Sequence, residues 1–310
     1  MGTDFETETS KENKEMMTLL IIATVIAVFS AVISTAIVYS RRSQEAIEKA
    51  EENFGHMVIY NAMPRQPYTI TSFDGYQLSA EFIPSPEPSD KYVIITHGFQ
   101  YNRLGSVKYA DMFRKHNFNC VIYDNRGHGV NKKAPCTFGI KESKDLLAVI
   151  EDTYNRYGKD IILGLHGESM GAGLTIYALR YKPDVKFVVA DCGYAELADS
   201  LTGKVKELAH LPEWTIKPVA LMNKLLYGYS FYDVKPIESL PDNQIPICFM
   251  HGEADGFVKP NNSVRMNEVN GGPCELHLFP EATHANCAQR YPEEYEKLMF
   301  QFIDQVLQDQ

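Results

Sequence analysis

From Tyr92 onward the chain alternates short, unbroken apolar runs with amphipathic stretches, and this alternation restricts the fold more than any other feature. YVIIT (92–96), CVIYD (120–124), IILGLH (161–166), FVVAD (187–191), ICFMH (247–251) and ELHLF (275–279) are too short for helices. They are also too continuously apolar for strands with one wet face, so they read as strands of a parallel sheet covered on both sides. Helical patterns fill the gaps near 105–116, 141–157, 170–181, 261–269 and 292–307. The prediction is an α/β fold, a mostly parallel sheet with helices on both faces. Before this series, TITSF and YQLSAEFI flank the turn dipeptide Asp74-Gly75 and predict a hairpin that adds an antiparallel edge. Sheets of this kind bind ligands at the carboxyl ends of their strands, which makes the polar residues just past each strand the ones to inspect.

Gly167-Glu168-Ser169-Met170-Gly171 stands directly after IILGLH and directly before a helical run. A G-x-S-x-G turn in that setting lifts its serine above the sheet at a helix N-terminus, with glycines where the backbone must approach closely. Ser169 is therefore the candidate nucleophile. It needs a general base, and the base needs an orienting acid; in chains with this turn they follow the serine in the order acid, then histidine. His210, His251, His277 and His284 follow Ser169. His277 lies inside a strand, His210 in a helical insertion, and His251 ends a strand, whereas His284 sits in the loop after the last strand and can reach over the serine. For the acid, Asp255 follows ICFMH in a Gly-flanked loop, and Asp191 at the end of FVVAD is the rival. Two backbone N–H groups should hold the developing negative charge. Met170 supplies one as the residue after the nucleophile, and Phe99 in His97-Gly98-Phe99-Gln100 supplies the other. Asn125-Arg126-Gly127-His128-Gly129 reads as a braced turn beside the site.

HGF, YDNRGHG, GLHGESMGAG, HGEADGFV and ATHANC, in this order and spacing, resemble the α/β-hydrolase superfamily over residues 66–308. The similar branch includes bacterial esterases, acylglycerol and lysophospholipid lipases and aminopeptidase-like hydrolases. The resemblance implies an α/β-hydrolase fold with the triad Ser169, Asp255 and His284, and with Phe99 and Met170 as oxyanion donors. Two positions depart from the pattern. Asn131 stands where a Ser often follows RGHG, and Cys287 where many relatives carry Ser. The stretch from about 195 to 232 occupies the place of a lid. Its Leu208, Leu211, Trp214, Leu221, Met222, Leu225, Tyr227, Tyr229, Phe231 and Tyr232 are expected to pack on neighbours and in part to line an apolar acyl pocket.

Met16 to Tyr39 contains no charged residue, and at about 1.5 Å per residue its helix is long enough to cross a hydrocarbon core of about 30 Å. Arg41 and Arg42 end the run. The chain thus divides into a polar tail (1–15), a transmembrane helix (16–40), a stalk or linker (41–63) and a hydrolase domain (64–310). Nothing the triad needs precedes Ser43, so the anchor is expected to be separable. Lys11 and Lys14 before the run, against Arg41, Arg42 and Lys49 after it, lean toward a single-pass membrane protein with a cytoplasmic domain. Ala23, Ala27, Ala31 and Thr35 form a small-residue stripe suited to packing two such anchors together.

A formal net charge of −10 without any Lys/Arg run argues against a nucleic-acid partner. The six cysteines form no CxxC pair and no HExxH occurs, so neither metal nor cofactor is expected. The function anticipated is cleavage of carboxylic esters, acyl or aromatic, through an acyl-enzyme on Ser169. An aminopeptidase-like hydrolase, with Glu168 or Glu196 holding a substrate ammonium, and a tethered non-catalytic binding module are the other readings.

Overall fold

The structure, a computed structural model, describes residues 2–209 and 212–308, with the side chains of residues 2–10, 12 and 204–209 outside the description. His210 and Leu211, and the side chain of Leu208, therefore lie outside the described residues. Eight strands form one sheet in the order β1-β2-β4-β3-β5-β6-β7-β8. β1 (Gln66–Thr71) and β2 (Gln77–Ile83) are the expected hairpin. β2 also runs antiparallel to β4 (Asn119–Tyr123), while β3 (Lys91–Thr96), β5 (Ile162–Glu168), β6 (Phe187–Asp191), β7 (Ile247–Gly252) and β8 (Cys274–Phe279) continue in parallel from β4.

Two cores flank the sheet because successive side chains point to opposite faces. Ile94, Val121, Leu163, Leu165, Val188 and Phe249 join one cluster, with α5 (Glu142–Tyr157) and α6 (Met170–Ala178). Val93, Ile95, Cys120, Ile122, Val189 and Met250 join the other, under α4 (Val107–Lys115), α10 (Cys287–Arg290) and α11 (Pro292–Gln308). α9 (Asn261–Val269) packs on β7 and β8. All six cysteines are free thiols, and Cys120 and Cys248 are buried within strands as small hydrophobes.

The N-terminal region differs from expectation at its boundaries. One helix, α1, runs from Gly2 to Val38, so the polar tail continues the apolar run as helix. Asn13–Val38 is apolar and long enough to cross a membrane. Its last turns, however, are not free. Ser30, Ser34 and Val38 are buried, and α1 packs along α8 (Ile216–Tyr227), which follows α7 (Leu197–Ala209) in the insertion. Ser34 Oγ donates to the buried Asn223 Oδ1 at 2.9 Å, and Tyr227 donates to Thr35 Oγ1 at 2.8 Å. Of the small-residue stripe, Thr35 meets a helix of the same chain, Ala23 stays exposed, and the buried face beside it is Ser30, Ser34 and Val38. Residues 41–63, expected as a stalk, form α2 (Gln44–Asn53) and α3 (His56–Ala62), whose Ile47 and Tyr60 are buried beside Leu104 and Val107, while the buried Glu51 bonds His56 and Tyr101. Cutting the chain before Ser43 would remove core contacts: Val38 belongs to the main core, and its carbonyl accepts from Cys136 N–H at 2.8 Å.

Candidate active site

Ser169 sits between β5 and α6 at φ 56° and ψ −113°, a strained backbone for a residue with a side chain. The turn closes only because its flanks are glycine. A Cβ on Gly171 would stand 2.1 Å from Thr96 O, and one on Gly167 2.4 Å from Gly171 O. The Ser169 N–H donates to Asp191 O at 2.8 Å, tying the turn to the end of β6.

The loops after β7 and β8 complete the constellation. Ser169 Oγ lies 2.8 Å from His284 Nε2, and His284 Nδ1 lies 2.7 Å from Asp255 Oδ2. A carboxylate can only accept, so Nδ1 carries the proton and Nε2 offers its lone pair to the serine hydroxyl. Asp255 Oδ1 accepts the backbone N–H groups of Phe257 and Val258 at 2.8 and 2.9 Å. His251, set aside as a base, stands on the same acid: Nε2 is 3.3 Å from Asp255 Oδ2 and 2.7 Å from Val258 O. That carbonyl also requires a donor, which leaves His251 Nδ1 to accept from Ser263 Oγ at 2.7 Å. Burial pushes the Asp255 carboxyl up, but hydrogen bonds and attraction from His251 and His284 outweigh it and hold the group down at about 2.

Asp191 has a different role. Its Oδ2 accepts from Tyr109 OH at 2.8 Å, and the same hydroxyl lies 2.7 Å from Glu168 Oε2. Burial, with Glu168 nearby, pushes the Asp191 carboxyl above its ordinary value. Glu168 pairs with the buried Lys108 at 2.5 Å, and Lys108 Nζ also donates to Ala285 O at 3.3 Å. One ammonium thus joins the residue before the nucleophile to the residue after the base. Sequence reasoning missed Lys108, although it lies one turn from Leu104 and from Met112, on the buried stripe of its helix.

The expected oxyanion loop lies against the nucleophile. A Cβ on Gly98 would be 3.4 Å from Ser169 Cβ, which places Phe99 beside the site. Met170 opens α6, so its N–H has no acceptor one turn earlier in the helix. His97 braces the loop: Nδ1 donates to Gly98 O at 2.7 Å, and Nε2 accepts from Asn125 N–H at 2.9 Å. Burial, aided by His128, pushes His97 down to about 3, so it is neutral. Arg126 is the expected brace, bonded to both oxygens of Asp74 (2.8 and 2.9 Å) and to Asp145 (2.6 and 3.0 Å). Asn131 accepts from Ser79 N–H at 2.8 Å and donates to Asp124 O at 2.7 Å, tying β2 to this loop.

The insertion contributes less to the site than its apolar content suggested. Tyr229 and Phe231 are buried and reach the nucleophile's surroundings through Phe138 and Phe99, in aromatic contacts of 4.8–6.2 Å. Trp214, Leu221 and Leu225 point outward. Cys192, Asp255 and His284 bring potential metal-ligand atoms within 4.8 Å of one another. Burial holds the Cys192 thiol well above its ordinary range, and Asp255 and His284 already bond each other, so a neutral thiol beside a committed pair makes a poor metal-ligand set.

Comparison with known proteins gives this geometry its context. Residues 87–237 match a family profile described as serine aminopeptidase, S33. A protein of Bacillus subtilis (strain 168), the uncharacterized protein YqkD, is 30% identical over 292 residues, 90% of this chain and 95% of that protein. YfhR of Escherichia coli (strain K12), also uncharacterized, is 24% identical across 77% of this chain and 81% of its own length. Among solved structures, the Pyrococcus furiosus esterase Pf2001 superposes with a TM-score of 0.65 at 24% identity, covering 82% of this chain and 95% of that one. The Pyrococcus horikoshii acylaminoacyl peptidase matches with a TM-score of 0.61 at 16% identity, over 80% of this chain and 43% of the peptidase.

Proposed function

The chain belongs to the α/β-hydrolase superfamily, and we propose that within it this protein is a carboxylic-ester hydrolase working through an acyl-enzyme on Ser169. In this mechanism Ser169 Oγ attacks the acyl carbon while His284 Nε2 takes its proton. The N–H groups of Phe99 and Met170 hold the oxyanion, and His284 returns the proton to the departing alcohol. Water then attacks the acyl-enzyme with His284 again as base. Asp255 keeps the imidazole in the required tautomer and stabilises the imidazolium.

The observation that carries the ester reading over the aminopeptidase one is the state of the two acids suited to a substrate ammonium. Glu168 is committed to Lys108 and Tyr109, and Glu196 to Arg265 at 2.5 Å. An ammonium seated on either would meet a carboxylate already neutralised by a cation, whereas the Phe99–Phe138–Phe231 surface suits an apolar acyl or aromatic group. The apolar α1 and the free cysteines support a membrane-anchored enzyme with its domain in a reducing compartment. A fluorophosphonate probe should label the protein and fail on Ser169→Ala, whose kcat should fall by about 10⁴–10⁶-fold. A panel of p-nitrophenyl esters against aminoacyl anilides decides the substrate class. Faster anilide turnover would reverse it, and an unlabelled, inert wild-type chain would leave only a binding module.

A further inference from the structure

Residues Met16 to Val32 of α1 carry a run of large apolar side chains roughly half to two-thirds exposed. From Ser30 onward one face of the helix is taken up by α8. The part of α1 available to lipid on every side, Met16 to Phe29, is thus about 14 residues, or about 21 Å, short of the roughly 30 Å of a hydrocarbon core. Full-depth insertion of the apolar run would carry its last turns, and α8 with them, into the edge of the bilayer.

The outer face of α8 has the chemistry for that position. Leu221 and Leu225 are 59% and 69% exposed, and Trp214, one turn ahead of the helix, is 62% exposed. Lys217 and Lys224 share this side of the helix, at the spacing that brackets Leu221. Apolar side chains with a tryptophan and flanking lysines form the pattern of a helix lying in the interfacial layer. The contact that fixes α8 to α1 is itself built: Ser34 bonds the buried Asn223, whose Nδ2 in turn donates to Tyr229 O at 2.7 Å. An unpaired amide there would be costly, so the two helices hold a set relative depth.

We propose that the outer face of α8 is a lipid-docking surface, resting in the headgroup layer of the bilayer that α1 spans. The proposal rests on the reading of α1 as a membrane span and does not depend on which ester is cleaved. Through Tyr229 and Phe231 the same insertion reaches Phe138 and Phe99 beside Ser169. The lipid surface and the site are thus two sides of one insertion.

Trp214 is the chain's one tryptophan, so its fluorescence reports this face directly. The full chain is reconstituted into nanodiscs of phosphatidylcholine with a minority of phosphatidylglycerol, with and without lipids brominated near the top of the acyl chain. The expected result is co-elution with the discs, quenching of Trp214 by brominated lipid, and about three-fold weaker quenching by aqueous iodide than in a lipid-free chain beginning at Ser30. Leu221→Glu with Leu225→Glu should restore iodide quenching in the discs while fluorophosphonate labelling of Ser169 persists, which separates loss of docking from loss of fold. Co-elution with Trp214 open to iodide and untouched by brominated lipid overturns the docking surface and leaves the span standing. Failure to co-elute overturns both, and the fault then lies with α1.

Discussion

At the scale of single residues, the two strand-end aspartates show how partner chemistry assigns roles that position alone leaves open. Asp255 spends one oxygen on two backbone N–H groups and the other on two imidazoles, whereas Asp191 serves a tyrosine behind the nucleophile. Asp255→Asn should lower kcat by about 10⁴-fold, because an amide cannot hold the imidazole in the required tautomer. Asp191→Asn should leave kcat within about ten-fold and cost about 1 kcal/mol of stability, read from urea midpoints. Inactivity of a stable Asp191→Asn variant beside an active Asp255→Asn one would exchange the two roles. The depressed carboxyl of Asp255 also makes stability depend on acid. The folded group titrates at about 2 against an ordinary 3.8, so its contribution is complete above about pH 4 and fades as pH falls toward 2. The full effect is about 2 kcal/mol. The stability gap between wild type and Asp255→Asn should therefore narrow by that amount between pH 5 and 2; a constant gap would mean that the folded carboxyl is not depressed.

At the scale of elements, the end of α1 behaves as part of the domain and its beginning as an appendage. Val38 is in the core and its carbonyl is bonded to the Cys136 N–H. Just beyond it, Ser40 bonds the side chain of Gln100, and Arg42 N–H donates to Gln100 O at 3.0 Å, next to the proposed oxyanion donor Phe99. A chain beginning at Ser30 keeps all of these contacts, and one beginning at Ser43 loses them. Counting one buried valine and several hydrogen bonds, the shorter chain should be less stable by about 3 kcal/mol and slower with esters, since its oxyanion loop loses two ties. Equal urea midpoints for the two truncations would show that α1 contributes nothing beyond anchoring.

At the scale of the whole molecule, the sheet, its two cores and the N-terminal helices form one unit whose catalytic edge also carries the end of the membrane-length helix. The full chain should sediment with membranes, resist alkaline carbonate and require detergent for release. Recovery in the carbonate supernatant would mean that α1 does not span. Loss of α1 before Ser30 should abolish that resistance and preserve the ester turnover of the remaining domain.

The alternation of apolar runs and helical patterns determined the parallel sheet, because strand length and two-sided burial are written in local composition. The strand–turn–helix setting of GESMG and the strand-end positions of Asp255 and His284 determined the constellation for a similar reason: catalytic groups in such sheets must sit just past strand ends. Tertiary structure alone decided three things. It seated the end of α1 on α8, paired Lys108 with Glu168 and Ala285, and set His251 as a second imidazole on Asp255. Each joins side chains whose complementarity exists only when distant segments meet, as with Ser34 and Asn223, and no periodicity encodes the partner of a buried polar group. The apolar run of α1 was legible as a possible span by length. How much of it faces lipid depended on which neighbour covered its last turns.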